Sequence, residues 1–229
     1  MSALALLYDV HGNVPALEAV LHECEAAGAD RYLLGGDYAA FGPWPRETVE
    51  RLDELDAVAW IRGNGERWLV EEPQVPPELR EWARTALDAA REDLGEDQVR
   101  RLYALPTDAE VDGVLYCHGS PLSDVESFAR EPQDGEERLL AGARDRTVVF
   151  GHSHIQFRRP GPDGTELVNP GSVGMPLDGD RRAAWALRQP DGSFELRRAE
   201  YDVERAVARL RSLGGWTDAL VHRLEHGPD

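Results

Sequence analysis

His152 and His154 stand two residues apart just behind a short apolar run at 147–150, in a chain of 229 residues with only 7 histidines. Other apolar runs end the same way: Asp9 and His11 follow 3–8, Asp37 follows 31–36, Asn64 follows 57–63, and His118 follows 113–117. Every one of these side chains is a metal-ligand type. Imidazole and carboxylate without thiolate suit Mn, Fe, Zn or Co, and cellular supply decides among them, because affinity alone favours the later metals. A bound ion of this kind lowers the pKa of water and makes hydroxide available near neutral pH. A lone histidine at a strand end is usually hydrogen-bonded structure. Five successive strand ends bearing only Asp, Asn and His are not explained by packing.

These residues need elements that bring them together. Residues 3–8 read as a buried strand and 14–27 as a helix with Val14, Leu17, Val20, Leu21 and Cys24 on one face. Asn13 can cap that helix, Pro15 suits its first turn and Gly28 ends it. A strand at 31–36, a Pro-rich loop from Phe41, a helix carrying Val49, Leu52 and Leu55, and a strand at 57–63 follow. This alternation implies parallel strands with right-handed crossovers, whose carboxyl ends line one crevice. The rhythm breaks at 71–105, which reads as a helical insertion packed on the domain, with helical spacing from Leu79 to Ala90 and a stop near Gly95. Strands at 113–119 and 147–154 come next, then short strands separated by turns at 161–164 and 189–192, and a last helix at 202–213. The second half is expected to be more antiparallel than the first.

Length and a hydrophobic content of 41% suit one α/β domain over 1–229. No stretch approaches the ~18 consecutive apolar residues of a membrane helix, and the apolar start runs into Asp9 without a basic region or cleavage site. The expectation is a soluble, cytoplasmic protein. Cys24 and Cys117 are expected to be buried reduced thiols, as in that compartment. A net charge of −18 repels long nucleic acids and anionic membranes, unless a metal reverses the field where substrate enters.

Two other motifs fail on inspection. Gly151-His152-Ser153-His154-Ile155 lacks the second glycine of a nucleophile elbow. His222-Arg223-Leu224-Glu225-His226 fits the spacing of inverted zinc proteases, but only three residues follow it and none is Glu, so it reads as an exposed helix end.

The ordered series Asp9-Val10-His11-Gly12-Asn13, Gly35-Gly36-Asp37, Gly63-Asn64, Cys117-His118-Gly119-Ser120 and Gly151-His152-Ser153-His154 resembles the calcineurin-like metallophosphoesterase superfamily. The stretches 41–45 and 169–174 are similar to its small prokaryotic branch of single-domain phosphodiesterases. The resemblance implies a four-layer α/β/β/α sandwich with mixed sheets and two metals at one edge. It implies that Asp9, His11 and His154 hold one metal, that Asn64, His118 and His152 hold the other, and that Asp37 bridges them. Asp37, Asn64 and His118 would then act in catalysis through the metals. If 147–154 is an extended strand, His152 and His154 point to one side and Ser153 to the other.

Two divalent ions ~3.5 to 4 Å apart can clamp both oxygens of an in-line displacement at phosphorus and deliver the attacking metal-bound hydroxide. Manganese is the favoured ion. Asn13, Arg62 and Ser120 flank ligands and are candidates for touching the phosphate; Phe41 and Trp44 are candidates for walling the substrate. Many superfamily members carry His directly after the ligand Asn, but here Gly65 stands in that place, which favours a phosphodiesterase unless Glu66, Arg62 or an insertion residue supplies a donor. The alternatives are a phosphomonoesterase, or a scaffold of the same fold. A scaffold would be expected to lose ligands, and all seven positions are intact. The expected partner is a small phosphate ester.

Overall fold

The computed structural model describes residues 2–227. β1 (Ala3–Leu7) is buried along its whole length because its alternating side chains serve two cores. Leu4, Leu6 and the following Tyr8 face a second sheet, while Ala3, Ala5 and Leu7 face helices. β1 pairs in parallel with β2 (Ala29–Leu34), and β2 with β3 (Ala57–Trp60). On its other edge β1 takes β9 (Ala183–Arg188) antiparallel, and β10 (Phe194–Ala199) completes the sheet in the order β10-β9-β1-β2-β3.

The second sheet has the order β4-β5-β6-β8-β7, from β4 (Asp108–Val111), β5 (Val114–Cys117), β6 (Thr147–Val149), β8 (Glu166–Asn169) and β7 (Phe157–Pro160). Its three central strands run parallel and its two edges antiparallel; with β9 and β10 also antiparallel, the second half is more antiparallel than the first, as expected, while its sheet is mixed. The turns at 161–164 and 189–192 do close the hairpins β7–β8 and β9–β10.

Leu4, Leu6, Tyr8, Leu33 and Ile61 of one sheet interleave with Val114, Tyr116, Val149 and Val168 of the other. The outer face of the first sheet is covered by α1 (Val14–Ala26), α2 (Pro45–Asp53), α3 (Asn64–Trp68), α4 (Arg80–Leu94), α5 (Glu96–Tyr103), α6 (Val203–Ser212) and α7 (Asp218–His226). On the far face of the second sheet, Phe128, Leu139 and Leu140 cover Val148, Phe150 and Leu167 from a loop and a single 3-10 turn at Glu136–Leu140. The result is an α/β sandwich of two mixed sheets whose fourth layer is thin.

Within the insertion, Gly95 at φ 78 ends α4 and starts α5. α5 escapes a periodicity reading because Leu102 is its one fully buried side chain. β4 escapes it as well, being four residues on a sheet edge with Asp108 and Glu110 exposed.

Candidate metal centre

The strands deliver their polar residues through loops of unusual conformation. Asp9 (φ 54), His11 (φ 47), Asp37 (φ 55), His152 (φ 63) and His154 (φ 57) all lie in the left-handed region. Each such non-glycine residue costs on the order of 1–3 kcal/mol and persists only where its surroundings over-determine it. Here loop-to-loop bonds do so: Asp9 N donates to Gly36 O at 3.0 Å, His11 N to Asp37 O at 2.9 Å, and Gly12 N to Tyr38 O at 2.8 Å.

The expected strand through His152 and His154 is therefore corrected. β6 stops at Val149, and beyond it Gly151 N donates to His118 O at 2.7 Å and His152 N to Asp9 Oδ2 at 3.0 Å. These bonds replace the strand ladder, so both rings reach the crevice from left-handed backbone rather than by alternation. The Ser153 hydroxyl bonds Asn169 Nδ2 at 3.0 Å.

Ring orientation is fixed by backbone carbonyls. Nδ1 of His11 donates to Ala40 O at 2.8 Å, Nδ1 of His118 to Gly35 O at 2.9 Å, and Nδ1 of His154 to Met175 O at 2.7 Å. A carbonyl only accepts, so Nδ1 carries the hydrogen and the neutral ring presents its Nε2 lone pair inward. His11 Nε2 and His154 Nε2 then face each other at 3.1 Å. Asp9 Oδ1, buried and without a hydrogen-bond partner among the described residues, lies 3.4 Å from His154 Nε2 and 3.8 Å from His118 Nε2.

The same holds at the other end. Asn64 Oδ1 is 3.1 Å from His118 Nε2 and 2.8 Å from His152 Nδ1, acceptor against acceptor. Turned over, the amide would donate to both rings and to Asp124 O. With its oxygen inward, it suits a cation placed among the three atoms.

Burial opposes charge on His118 and His154, but Asp37 with Asp9 in the first case, and Asp9 in the second, outweigh it and raise both imidazoles. Burial holds His11 below its ordinary value and brings His152 down to about 4. Burial also opposes ionisation of Asp9, yet His154 overcomes it and keeps the carboxyl low. Converging lone pairs around an unsatisfied buried carboxylate oxygen call for positive charge, and the donor set fits divalent cations. Asp9, His11 and His154 form one group of three with ligand atoms within 4.8 Å of one another, and Asp9, Asp37 and His118 form a second.

Residues 3–189 match the calcineurin-like phosphoesterase superfamily domain. The chain belongs to this superfamily. The superfamily is one of metal-dependent phosphoesterases, which supports hydrolase activity, and the crevice holds residue groups able to bind a metal. A metallophosphoesterase of Sphaerobacter thermophilus has a similar crystal structure, with a TM-score of 0.82, 27% identity and 99% of each chain covered. An uncharacterised protein of Methanocaldococcus jannaschii is 25% identical over 91% of this chain and 92% of its own. The phosphodiesterase YfcE of Escherichia coli is 25% identical over 79% of this chain and 84% of its own. Among the described residues, no helix is long and apolar enough to cross a membrane.

The candidate substrate contacts divide. Asn13 does not line the cleft: its Oδ1 caps α1 at Ala16 N and its Nδ2 donates to Gly174 O at 2.9 Å, so both ends of the amide are in use. Arg62 lies over the Tyr103 ring and donates to its carbonyl, and with Ser120 it lines a separate pocket of about 360 Å³ that shares His118 with the centre. Phe41 does wall the metal cleft, stacked on Trp82 of α4 at 5.4 Å and edge-on to Trp68. Trp44 instead packs in the helix-side core under Arg205. The insertion borders the cleft through Val75 and Trp82.

Glu66, one of the conditional candidates for a donor toward substrate, has another role. It is no donor toward substrate: fully buried, it accepts from Asp37 N at 2.8 Å, Gly63 N at 2.9 Å and Tyr38 N at 2.8 Å. Burial, then the Asp37 charge, pushes its carboxyl up to about 7 against these three bonds. Its position three residues after Gly63, where a helix begins, is the one local signal of this role. Ser172 and Asn169 lie in the stretch 169–174 and also have structural roles. Ser172 Oγ donates to Asp9 O at 2.7 Å and accepts from Met175 N, while Asn169 Nδ2 bonds Gly151 O and Ser153 Oγ. The turn at 169–174 thus braces both loops that present Asp9 and His154.

Proposed function

We propose that the protein is a phosphodiesterase working with two divalent cations, manganese being the favoured ion. Asp9, His11 and His154 would hold one and Asn64, His118 and His152 the other, with Asp37 between them. The Asp37 carboxylate carries this reading: Oδ2 is 3.8 Å from His11 Nε2 and Oδ1 is 3.5 Å from His118 Nε2, so each oxygen addresses one imidazole cluster. Cations bound there supply Lewis acidity toward a phosphate ester and acidify water. Against two such ions the two aspartates leave a formal positive charge, which draws a phosphate into an otherwise acidic chain.

The preference for diesters rests on Gly65. No imidazole can protonate a leaving oxygen from that position, which costs most with poor leaving groups and with dianionic monoesters. The resemblance to YfcE, a phosphodiesterase by name, points the same way. Phe41, Trp68 and Trp82 form an apolar wall that orients the ester's organic part and keeps water from that flank. The substrate is read as a small phosphate ester met in the cytoplasm, with no long nucleic acid or membrane as partner.

Metal analysis of the purified protein, followed by hydrolysis of a diester, a monoester and a cyclic nucleotide with added metals, tests this reading. Two ions per chain and faster diester turnover are expected. A wide preference for the monoester would defeat the diester assignment, and failure to retain any ion would defeat the whole reading.

A further inference from the structure

α7 lies beyond the segment that the family match covers, yet it reaches the metal cleft. Leu220 and Arg223, three residues apart and hence on one helical face, both line the cleft beside Asn64, His152 and His154. The helix is held there from two sides. Leu220, Val221 and Leu224 are buried in the helix-side core, and Trp82 Nε1 of the insertion donates to Trp216 O, just ahead of α7, at 2.7 Å.

Arg223 is the one arginine among the cleft-lining residues, and its guanidinium makes no ion pair with any described residue. The acid on its own helix nearest in sequence, Glu225, is taken by Arg211 at 2.8 Å. In a chain with 43 carboxylates against 25 cationic side chains, most guanidiniums are paired, as at Arg67 with Asp124 and Arg159 with Glu136. One without an ion pair among the described residues, lining an imidazole–carboxylate cleft together with the apolar Phe41, Trp68 and Trp82, is available to an anion from solution. The planar guanidinium offers parallel N–H groups that match two oxygens of a phosphate.

We infer that Arg223 is a substrate-binding residue that donates to the phosphate group of the ester; a guanidinium stays protonated, so it binds the phosphate without acting as the general acid missing at Gly65. This rests on the phosphoesterase reading above.

The test compares metal-loaded wild type, Arg223→Gln and Arg223→Lys. Binding of inorganic phosphate is measured by calorimetry, together with kcat and KM on a bis-aryl phosphodiester, metal content and melting temperature. Arg223→Gln should bind phosphate roughly 10- to 100-fold more weakly, the worth of a charge-assisted hydrogen bond. Its KM should rise with metal content and melting temperature unchanged, and Arg223→Lys should recover part of the affinity. Equal phosphate affinity in wild type and Arg223→Gln overturns the assignment, and so does a loss that tracks lost metal or lost stability. Wild type that binds phosphate through Arg223 but hydrolyses no ester upholds the contact and defeats the phosphoesterase reading instead.

Discussion

His11 Nε2 and His154 Nε2 lie 3.1 Å apart although 143 residues separate them, and each ring has its other nitrogen committed to a backbone carbonyl. Two lone pairs so directed are held in place by the fold and repel unless a cation lies between. Removing one ring should therefore remove an ion while leaving the core intact. His154→Ala is expected to lower metal stoichiometry and to cut turnover by at least about 100-fold, more than loss of an outer-shell partner does. Asp37→Asn should lose turnover likewise. Metal content with near-native circular dichroism checks both variants; full metal content in His154→Ala would contradict the ligand role.

Glu66 holds the Asp37 loop through three amides, so Glu66→Gln presents an NH2 to N–H donors that now find a carboxylate oxygen. A destabilisation of about 1–3 kcal/mol is expected, the cost of a buried donor left unsatisfied. Urea unfolding of the wild type and the variant measures it. An unchanged midpoint would mean that these bonds do not position Asp37.

Gly65 has a packing reason to be glycine. Its amide donates to Asp37 Oδ1 at 2.7 Å, and a Cβ there would sit 2.8 Å from that same oxygen. Gly65→Ala and Gly65→His should both shift Asp37 and weaken metal binding, whatever a histidine might add as a donor. Metal titration of the two variants decides, and wild-type affinity in Gly65→Ala would show that the carboxylate has room to move.

Trp82 brings the insertion to the cleft by stacking on Phe41. If the wall contacts the ester's organic group, Trp82→Ala should lower the preference for an aryl over a methyl diester by about 10-fold, the scale of a modest pocket contact. Trp82→Phe should keep most of it. Comparing kcat/KM for the two esters across the three proteins would refute the wall if the ratio does not move.

Tyr8 and Tyr38 adjoin the ligands Asp9 and Asp37, and burial raises both phenols well above the ordinary value of 10.0. A raised folded pKa means stability that is whole below the unfolded value and is lost as pH climbs through the folded one. The fold should therefore hold to about pH 10 and then unfold cooperatively, with the phenolates appearing in the same step. Tyrosinate absorbance followed alongside circular dichroism tests this; gradual ionisation of all six tyrosines in a folded chain would speak against it.

How much of this could be read along the chain depends on the range of the forces involved. The residue types at five strand ends, the Asn13 cap on α1 and the turns at 161–164 and 189–192 are local: each is decided by period, cap or turn chemistry within a few residues. They were enough to place Asp9, His11, Asp37, Asn64, His118, His152 and His154 in one crevice. Tertiary structure alone decided what surrounds them. Glu66 meets the Asp37 amide across 29 positions, Asn13 turns away to Gly174 across 161, and Trp82 meets Trp216 across 134. No local pattern encodes such contacts, because each depends on how the two sheets and their covering helices settle against one another. The left-handed backbone at His152 and His154 belongs with them. Its cost is borne by hydrogen bonds from other loops, so a run that reads as an extended strand is bent by partners that the run itself does not contain.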